Sequence, residues 1–429
     1  MHTIGIVSLG CAKNLVDSEM ILGMFKDGDY RFTDDPAAAD VLIVNTCGFI
    51  ADAKKEAVET ILEMAQYPGK LVVVGCFVER DLSELQKSIP EVDLWVPLRD
   101  YPTLHQKIEK LLGTTDVAPL NPLKRVLSTP SYSAYLRLSE GCNNFCAFCA
   151  IPFIRGRFVS RPFAEILEEA KLLRQKGIKE IALVSQDTTR YGFDFVGQKP
   201  NIIDLLKEID TLGFYSIRLL YLYPDELPDE LINFVKESKS VAPYFDVPIQ
   251  CGSDNVLRGM NRHGTRADIL SLFHRIKEKL PQAILRTTLI AGFPGETESD
   301  HKETLDLMEE IRFDHLGCFP YSREEGTAAY RLPNQIPEAT KKRRHDEIMA
   351  AQRKISHERN KLLVGTSMEG LVTGYDPIKK LYTLRSYWNA PDDIDGTIYF
   401  SSVDSLKNGD VVTVKITSCF IYDLMGEKA

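Results

Sequence analysis

The chain holds 429 residues, 44% hydrophobic and 26% charged, with 52 basic against 61 acidic side chains and a net charge of −9. That length and balance call for two to four globular domains, and exclude a disordered chain, a fibrous repeat and a generally basic nucleic-acid-binding surface. No apolar run approaches the ~18 residues of a membrane span. The N-terminal MHTIGIVSLGC enters a strand-like run with no basic leader, so the expectation is a cytoplasmic protein without a secretory signal or membrane association.

In chain order, residues 1–120 alternate strand and helix signals. TIGIVSLGC (3–11), DVLIVNTC (40–47) and KLVVVGC (70–76) are apolar strands, each followed by a helical pattern. Continuous apolar strands alternating with helices predict an open parallel sheet covered on both faces. APLNPLKRVLSTPSYS then reads as a linker. Six further strands follow: AYLRLSE, KEIALVSQD, SIRLLYL, PYFDVPIQ, ILRTTLIA and HLGCF, with helices between them. Six βα units are too few for a complete eight-fold barrel and predict a partial, TIM-like (β/α) barrel open on one side. Glu338 to Lys361 reads as a long polar helix; its KKRR cluster could contact phosphate, but a charge run on a helix is usually a solvated face, which is the expectation here. From about Val364 short β runs separated by Gly and Asn/Asp turns predict a small antiparallel barrel. The expected domains are 1–120, 128–358 and 361–429.

Nine cysteines stand at positions 11, 47, 76, 142, 146, 149, 251, 318 and 419. In a chain too long to depend on disulfides, clustered cysteines point to metal or catalysis. EGCNNFCAFCAIPFIRG places Cys142, Cys146 and Cys149 as C-x-x-x-C-x-x-C directly after the first barrel strand. Three thiolates on one short loop can wrap a [4Fe–4S] cluster while leaving one iron open. Zinc is the weaker reading, because structural zinc sites pair two such units, and inert buried thiols are the remaining one. The loop's place at the C-terminal end of a barrel strand favours an active site.

This spacing, with Phe148 before the last cysteine, resembles the radical S-adenosylmethionine superfamily. The resemblance implies that the open iron binds the amino and carboxylate groups of S-adenosylmethionine, which one electron cleaves to a 5′-deoxyadenosyl radical. It places Phe148 beside the adenine. Further cofactor contacts are expected at the other strand ends: Ser185, Gln186, Asp187, Gln250, Arg286 (with Thr288), and Gly292 and Glu296 of GFPGE. On its own, GFPGE also reads as an ordinary turn into a helix, with Glu296 near the helix N-terminus.

Cys11, Cys47 and Cys76 lie 36 and 29 residues apart, but each ends a strand and precedes a helix. Open α/β sheets bind ligands beyond those strand ends, so the three can converge there. VSLGCAKNLVDSE, NTCGF and VVVGC resemble the N-terminal domain of the methylthiotransferase family, in which three cysteines hold a second [4Fe–4S] cluster. The likeness extends over the whole chain, ending in a TRAM domain.

One branch of that family modifies a transfer-RNA adenosine and the other an aspartate of ribosomal protein S-twelve. CAKNLVDSE, SQDTTRYG, YFDVPIQ and FPYSREEGT are similar to the ribosomal-protein branch. Nine acidic against six basic side chains over residues 364–429 suit a basic protein target better than RNA, with Asp392, Asp393 and Asp395 as the expected contact. The family's usual P-x-Q-H-G-S-D reads PIQCGSD here, so Cys251 stands at the histidine position and is not expected to be a ligand. Cys318 and Cys419 read as core.

The resemblance implies that one S-adenosylmethionine methylates a sulfur on the N-terminal cluster. The radical made from a second abstracts hydrogen from the aspartate β-carbon, which then receives the methylthio group. An electron donor such as flavodoxin or ferredoxin is implied, and no general base is expected. Transfer-RNA methylthiolation remains the alternative in the same class, and a non-catalytic iron–sulfur carrier or RNA-binding module the alternative outside it.

Overall fold

The computed structural model describes residues 1–197, 200–392 and 394–429, so Asp393 lies outside the described residues. The N-terminal part runs β1 (His2–Ser8), α1 (Ala12–Gly23), β2 (Tyr30–Phe32), β3 (Val41–Thr46), α2 (Ala51–Met64), β4 (Lys70–Gly75), α3 (Cys76–Ser88), β5 (Leu94–Pro97) and α4 (Leu104–Leu112). Its strands form one parallel sheet in the order β2-β1-β3-β4-β5. All of β3, and all of β4 except Lys70, is buried. Helices on both faces demand such unbroken apolar runs. The strand order reverses between β1 and β3, and the crevice beyond their C-terminal ends is where such sheets take a ligand. β1 stops at Ser8, short of Cys11, because Gly10 turns the chain at φ +85°.

The segment read as a linker is pinned rather than free. Arg125 is buried, 3.0 Å from Glu169 and 3.4 Å from Glu19, and it donates to the Tyr135 carbonyl at 2.8 Å. The chain thus fastens α1 to the central part before entering it.

That central part contains β6 (Ser133–Arg137), β7 (Ser139–Glu140), α5 (Ile151–Ile154), β8 (Val159–Ser160), α6 (Phe163–Gln175), β9 (Glu180–Val184), α7 (Ile202–Asp210), β10 (Ser216–Leu219), α8 (Asp229–Glu237) and β11 (Tyr244–Asp246). It continues through α9 (Asp254–Gly259), α10 (Arg266–Lys279), β12 (Ile284–Ala291), α11 (Glu298–Ile311), β13 (His315–Pro320) and α12 (Glu338–Lys361). Two parallel sheets, β10-β9-β6 and β11-β12-β13, are joined by a parallel bridge between Ile217 and Val241. Among the described residues no ladder joins β6 to β13, so the six strands make the expected partial barrel. Its inner face is closed by the neighbours: Tyr135, Val184, Leu220 and Tyr244 pack with Val16 of α1 and with Trp388.

The KKRR cluster of α12 is only half solvated. Lys342 and Arg343 are exposed, but Lys341 and Arg344 are buried and donate to the carbonyls of Tyr321 and Glu296, both at 3.0 Å. The 3.6-residue period turns the first and fourth members of a four-residue run inward and the middle two out.

The C-terminal barrel closes as β14-β15-β16-β18-β17, with β14 (Ser367–Asp376), β15 (Leu381–Ser386), β16 (Ile398–Ser401), β17 (Val411–Cys419) and β18 (Leu424–Lys428). It departs from the expected all-antiparallel form in one ladder, because β16 and β18 run parallel. β17 crosses to pair with β14, so the returning β18 lies beside β16 in the same direction. Among the described residues no helix is long and apolar enough to cross a membrane.

Candidate functional site: two three-thiol centres

The three N-terminal cysteines are brought together by the strand ends. Cys11 occupies the extended position before α1, Cys47 directly follows β3, and Cys76 opens α3. Glycines allow the close approach. A Cβ on Gly10 would lie 2.6 Å from Cys47 Cβ and 3.0 Å from its Sγ. Gly75, at φ +102°, has no room either: its Cβ would lie 2.5 Å from the Thr46 carbonyl. Asn14 then ties the three ends to one another. Its Nδ2 donates to the carbonyls of Leu9 and Thr46, both at 2.9 Å, and its Oδ1 faces Cys76 Sγ at 3.6 Å. Burial pushes the Cys76 thiol up to about 12 against the pull of Arg155 and raises Cys47 as well. Metal-free, these buried thiols therefore hold their protons, and thiolates form only with a cation to compensate them.

Cys142, Cys146 and Cys149 share one loop between β7 and α5, close enough that Cys146 acts electrostatically on both of the others. Cys149 N–H donates to the Cys146 carbonyl at 2.9 Å, and Cys142 N–H to Gly156 at 3.2 Å, which closes the loop. Burial raises the Cys142 thiol to about 11 and pushes Cys149 up too. Cys146 receives outside help. Arg262 Nη1 stands 3.7 Å and Tyr223 Oη 3.8 Å from its sulfur, and the Arg262 guanidinium stacks 4.1 Å over the Tyr223 ring. Among the described residues no three His, Cys, Asp or Glu side chains gather closely enough to hold a metal ion. A single zinc ion needs that convergence, whereas in a four-iron cluster each thiolate takes its own iron and the sulfurs stay apart.

The two centres are neighbours. Cys76 packs against Ala150 and Ile154, just beyond Cys149. Lys13, two residues after Cys11, reaches into the central barrel, where its buried ammonium donates to Ser139 O at 3.1 Å and to Gln186 Oε1. Burial lowers its pKa to about 8.

The other expected residues divide into two groups. Near the cysteine loop, Ser185 bonds the Ser139 hydroxyl, Gln186 holds Lys13, and Asp187 accepts from Asn144 Nδ2 at 2.8 Å. Gln250 follows β11 at φ +72° with its backbone paired to Thr288, and Phe148 packs on the main core. Arg286, Gly292 and Glu296 have other partners. Arg286 is 2.8 Å from Asp246 and 3.4 Å from Asp395 of the C-terminal barrel. Gly292 lies under Lys341 and donates its N–H to Glu296. Burial lifts Glu296 to about 7, with Arg344 opposing.

Asp395 itself is buried, accepting from Tyr244 Oη at 2.7 Å and Ala390 N at 2.8 Å, and Asp392 accepts from Tyr135. Asp395 is therefore committed to the junction between the barrels, whereas Asp392 bonds Tyr135 there and stays exposed. Cys251 is buried with its sulfur 3.3 Å from Thr304 Oγ1, Cys318 is core, and Cys419 is half-buried. Sequence reasoning missed Asn14, Arg155, Arg262 and Tyr223. Asn14 stood in CAKNLVDSE and Arg155 in EGCNNFCAFCAIPFIRG, whereas Arg262 and Tyr223 lay outside any quoted motif.

Residues 3–97 match the model described as "Uncharacterized protein family UPF0004", residues 136–308 the Radical SAM superfamily, and residues 364–428 the TRAM domain. A Clostridioides difficile protein named ribosomal protein uS12 methylthiotransferase RimO is 43% identical over 442 residues, 100% of this chain and 99% of that protein. An Aquifex aeolicus protein of the same name is 46% identical over 99% of this chain and 96% of its own length. The chain belongs to the RimO methylthiotransferase family. As a member of that family it is a radical S-adenosylmethionine methylthiotransferase, an enzyme whose chemistry uses S-adenosylmethionine and a [4Fe–4S] cluster. Among solved structures, the radical S-adenosylmethionine methyltransferase TsrM from Kitasatospora setae, with cobalamin and a [4Fe-4S] cluster bound, aligns with TM-score 0.58 at 13% identity, over 88% of this chain and 81% of that one. At that identity the likeness speaks for the fold alone.

Proposed function

We propose that this enzyme methylthiolates the β-carbon of an aspartate in ribosomal protein uS12, using two [4Fe–4S] clusters and two molecules of S-adenosylmethionine. The observation that carries this reading is the pairing of two three-thiol centres, with Cys76 of one packed against residues that flank the other, within a chain similar over its full length to proteins named for uS12 methylthiolation. The residues fit the groups: each centre offers three thiols, the first through glycines that leave room and the second with two donors turned toward Cys146. Cys142, Cys146 and Cys149 would hold the radical cluster, and Cys11, Cys47 and Cys76 the second one. When bound, the first supplies the electron that opens S-adenosylmethionine to a 5′-deoxyadenosyl radical, and the second carries the sulfur to be transferred.

The chain's own residues position and shield. Arg262 and Tyr223 orient and polarise the Cys146 sulfur. Asn144, held by Asp187, and Ser139, held by Ser185, fix the cysteine loop against β9. Phe148, Ser185, Gln186, Asp187, Gln250, Arg286, Gly292 and Glu296 are proposed to shape the S-adenosylmethionine site. For Arg286, Gly292 and Glu296 the contacts support an indirect role, through the strand and loop they brace.

The proposed units are the methylthiotransferase domain at 1–120, the radical domain at 128–358 and the TRAM domain at 361–429. A cytoplasmic location and a flavodoxin or ferredoxin as reductant belong to the same reading. Mass spectrometry of uS12 from cells with and without the gene tests it: the target aspartate should lose its methylthio group on deletion. Unchanged uS12 together with a loss of methylthioadenosine from transfer RNA would overturn the protein substrate.

A further inference from the structure

We propose that Arg155, carried on the cysteine loop of the central domain, is the counter-charge of the N-terminal three-thiol centre and raises that centre's reduction potential. The proposal rests on the reading above that Cys11, Cys47 and Cys76 hold a cluster.

Arg155 lies six residues beyond Cys149, between α5 and β8, yet its side chain is inserted into the other domain. It is 3% exposed and donates to Asn14 Oδ1 at 2.8 Å, Asp17 Oδ2 at 2.8 Å and Glu140 Oε2 at 3.0 Å. Asn14 Oδ1 is the same atom that faces Cys76 Sγ at 3.6 Å. The guanidinium and the Cys76 thiol therefore share one acceptor, and the guanidinium charge acts on both Cys76 and Cys11. Arg155 is thus one residue removed from the ligands of the N-terminal centre while belonging to the loop that makes the other.

The surrounding charge is unbalanced. Among the described residues, Lys13, Arg137 and Arg155 meet in this buried junction with two carboxylates, Asp17 and Glu140, paired to them: Arg137 pairs with Asp17 and, at 2.7 Å, with Glu140, and Lys13 lies 3.8 Å from Glu140. A surplus positive charge held away from water is costly unless an anion lies close by. A cluster ligated by three thiolates is such an anion, and two of the thiols that would bind it, Cys76 and Cys11, lie within the electrostatic reach of Arg155. A fixed cation stabilises the more negative, reduced state of a neighbouring centre, because the attraction grows with the added electron. Arginine suits the task because it keeps its charge at any pH the protein meets. Asp17 and Glu140 hold the fork in place, and Asn14 transmits its position to the three strand ends.

The test is an EPR-monitored redox titration of the full-length, anaerobically reconstituted protein, in which the signal lost in Cys47→Ala identifies the N-terminal centre. Arg155→Gln at full iron content should lower the reduced-to-oxidised ratio of that centre about tenfold at fixed potential, 59 mV for a one-electron couple. Arg155→Lys should restore most of it, and Lys13→Met should shift it in the same direction. A purely structural role would change iron content but would not discriminate lysine from glutamine. An unmoved potential in Arg155→Gln at full iron overturns the proposal, as does a lysine variant displaced as far as the glutamine one. If Arg155→Gln fails to hold iron, Lys13→Met decides: a downward shift supports the counter-charge and an unmoved potential rejects it. A parent protein without any Cys47-dependent signal overturns the underlying reading, and this proposal with it.

Discussion

Gly10→Ala tests the N-terminal centre without touching a cysteine. Gly10 sits at φ +85°, where a side chain costs about 1–2 kcal/mol. The added methyl would also stand 2.6 Å from Cys47 Cβ and 3.0 Å from its sulfur. Carbon atoms rest about 3.5–4.0 Å apart, so Cys47 must retreat by roughly 1 Å. Overpacking of this kind costs about 1–3 kcal/mol, which brings the total to about 2–5 kcal/mol. The strain falls on the one cysteine that β3 holds rigidly. Anaerobic reconstitution of the parent should give about eight irons per chain, on the premise of two four-iron centres. Gly10→Ala should retain about half of them, still cleave S-adenosylmethionine, and fail to methylthiolate. Iron counting, 5′-deoxyadenosine formation and product mass read the three effects separately. Full iron with full methylthiolation would refute the placement of Cys47 beside Gly10 and the role built on it.

Other expectations follow from the charged groups. Glu296 is protonated up to about pH 7 when folded but only to its ordinary 4.5 when unfolded, so its contribution to stability is full below 4.5 and fades as pH rises to 7. Glu296→Gln should flatten the thermal midpoint across that window, and an unchanged slope would discount the shift. Burial works to raise Asp395, but His315 and Arg286 outweigh it and hold the carboxyl below its ordinary value. Its stabilisation is therefore present above the usual carboxylate range and lost as pH falls. Asp395→Asn should cost about 3–5 kcal/mol in chemical denaturation at neutral pH, the penalty for breaking a buried pair; a loss below about 1 kcal/mol would place the acid in solvent. Arg262→Gln should lower the potential of the S-adenosylmethionine-responsive cluster and leave the Cys47-dependent signal unmoved. Equal shifts in both would contradict the contact with Cys146.

Much of this arrangement could be read from local pattern. VLIVNT and LVVVG announce doubly covered strands, the six central β runs are all present, and the long polar helix spans Glu338–Lys361 as read. The convergence of Cys11, Cys47 and Cys76 was legible because each stands where a parallel strand gives way to a helix. Features that depend on docking between distant segments were not. Arg155 reaches α1 only because the cysteine loop lies against it, and nothing near Arg155 in sequence signals Asn14 or Asp17. Asp395, expected to face a partner, is instead claimed by Tyr244 and Arg286 from strands more than one hundred residues earlier, while Asp392 stays exposed although Tyr135 bonds it. The parallel ladder of β16 and β18 likewise depends on how the barrel closes, which hydropathy alternation does not encode.

The division of labour between the two centres is tested most directly by comparing Cys142→Ala with Cys47→Ala, assayed for 5′-deoxyadenosine and for methylthiolated uS12 deuterated at the target β-carbon. Cys142→Ala should abolish both products. Cys47→Ala should still cleave S-adenosylmethionine, and any deuterium found in 5′-deoxyadenosine should come from that β-carbon, while no methylthio group reaches the target. Full methylthiolation by Cys47→Ala, or loss of cleavage in both variants alike, would contradict it.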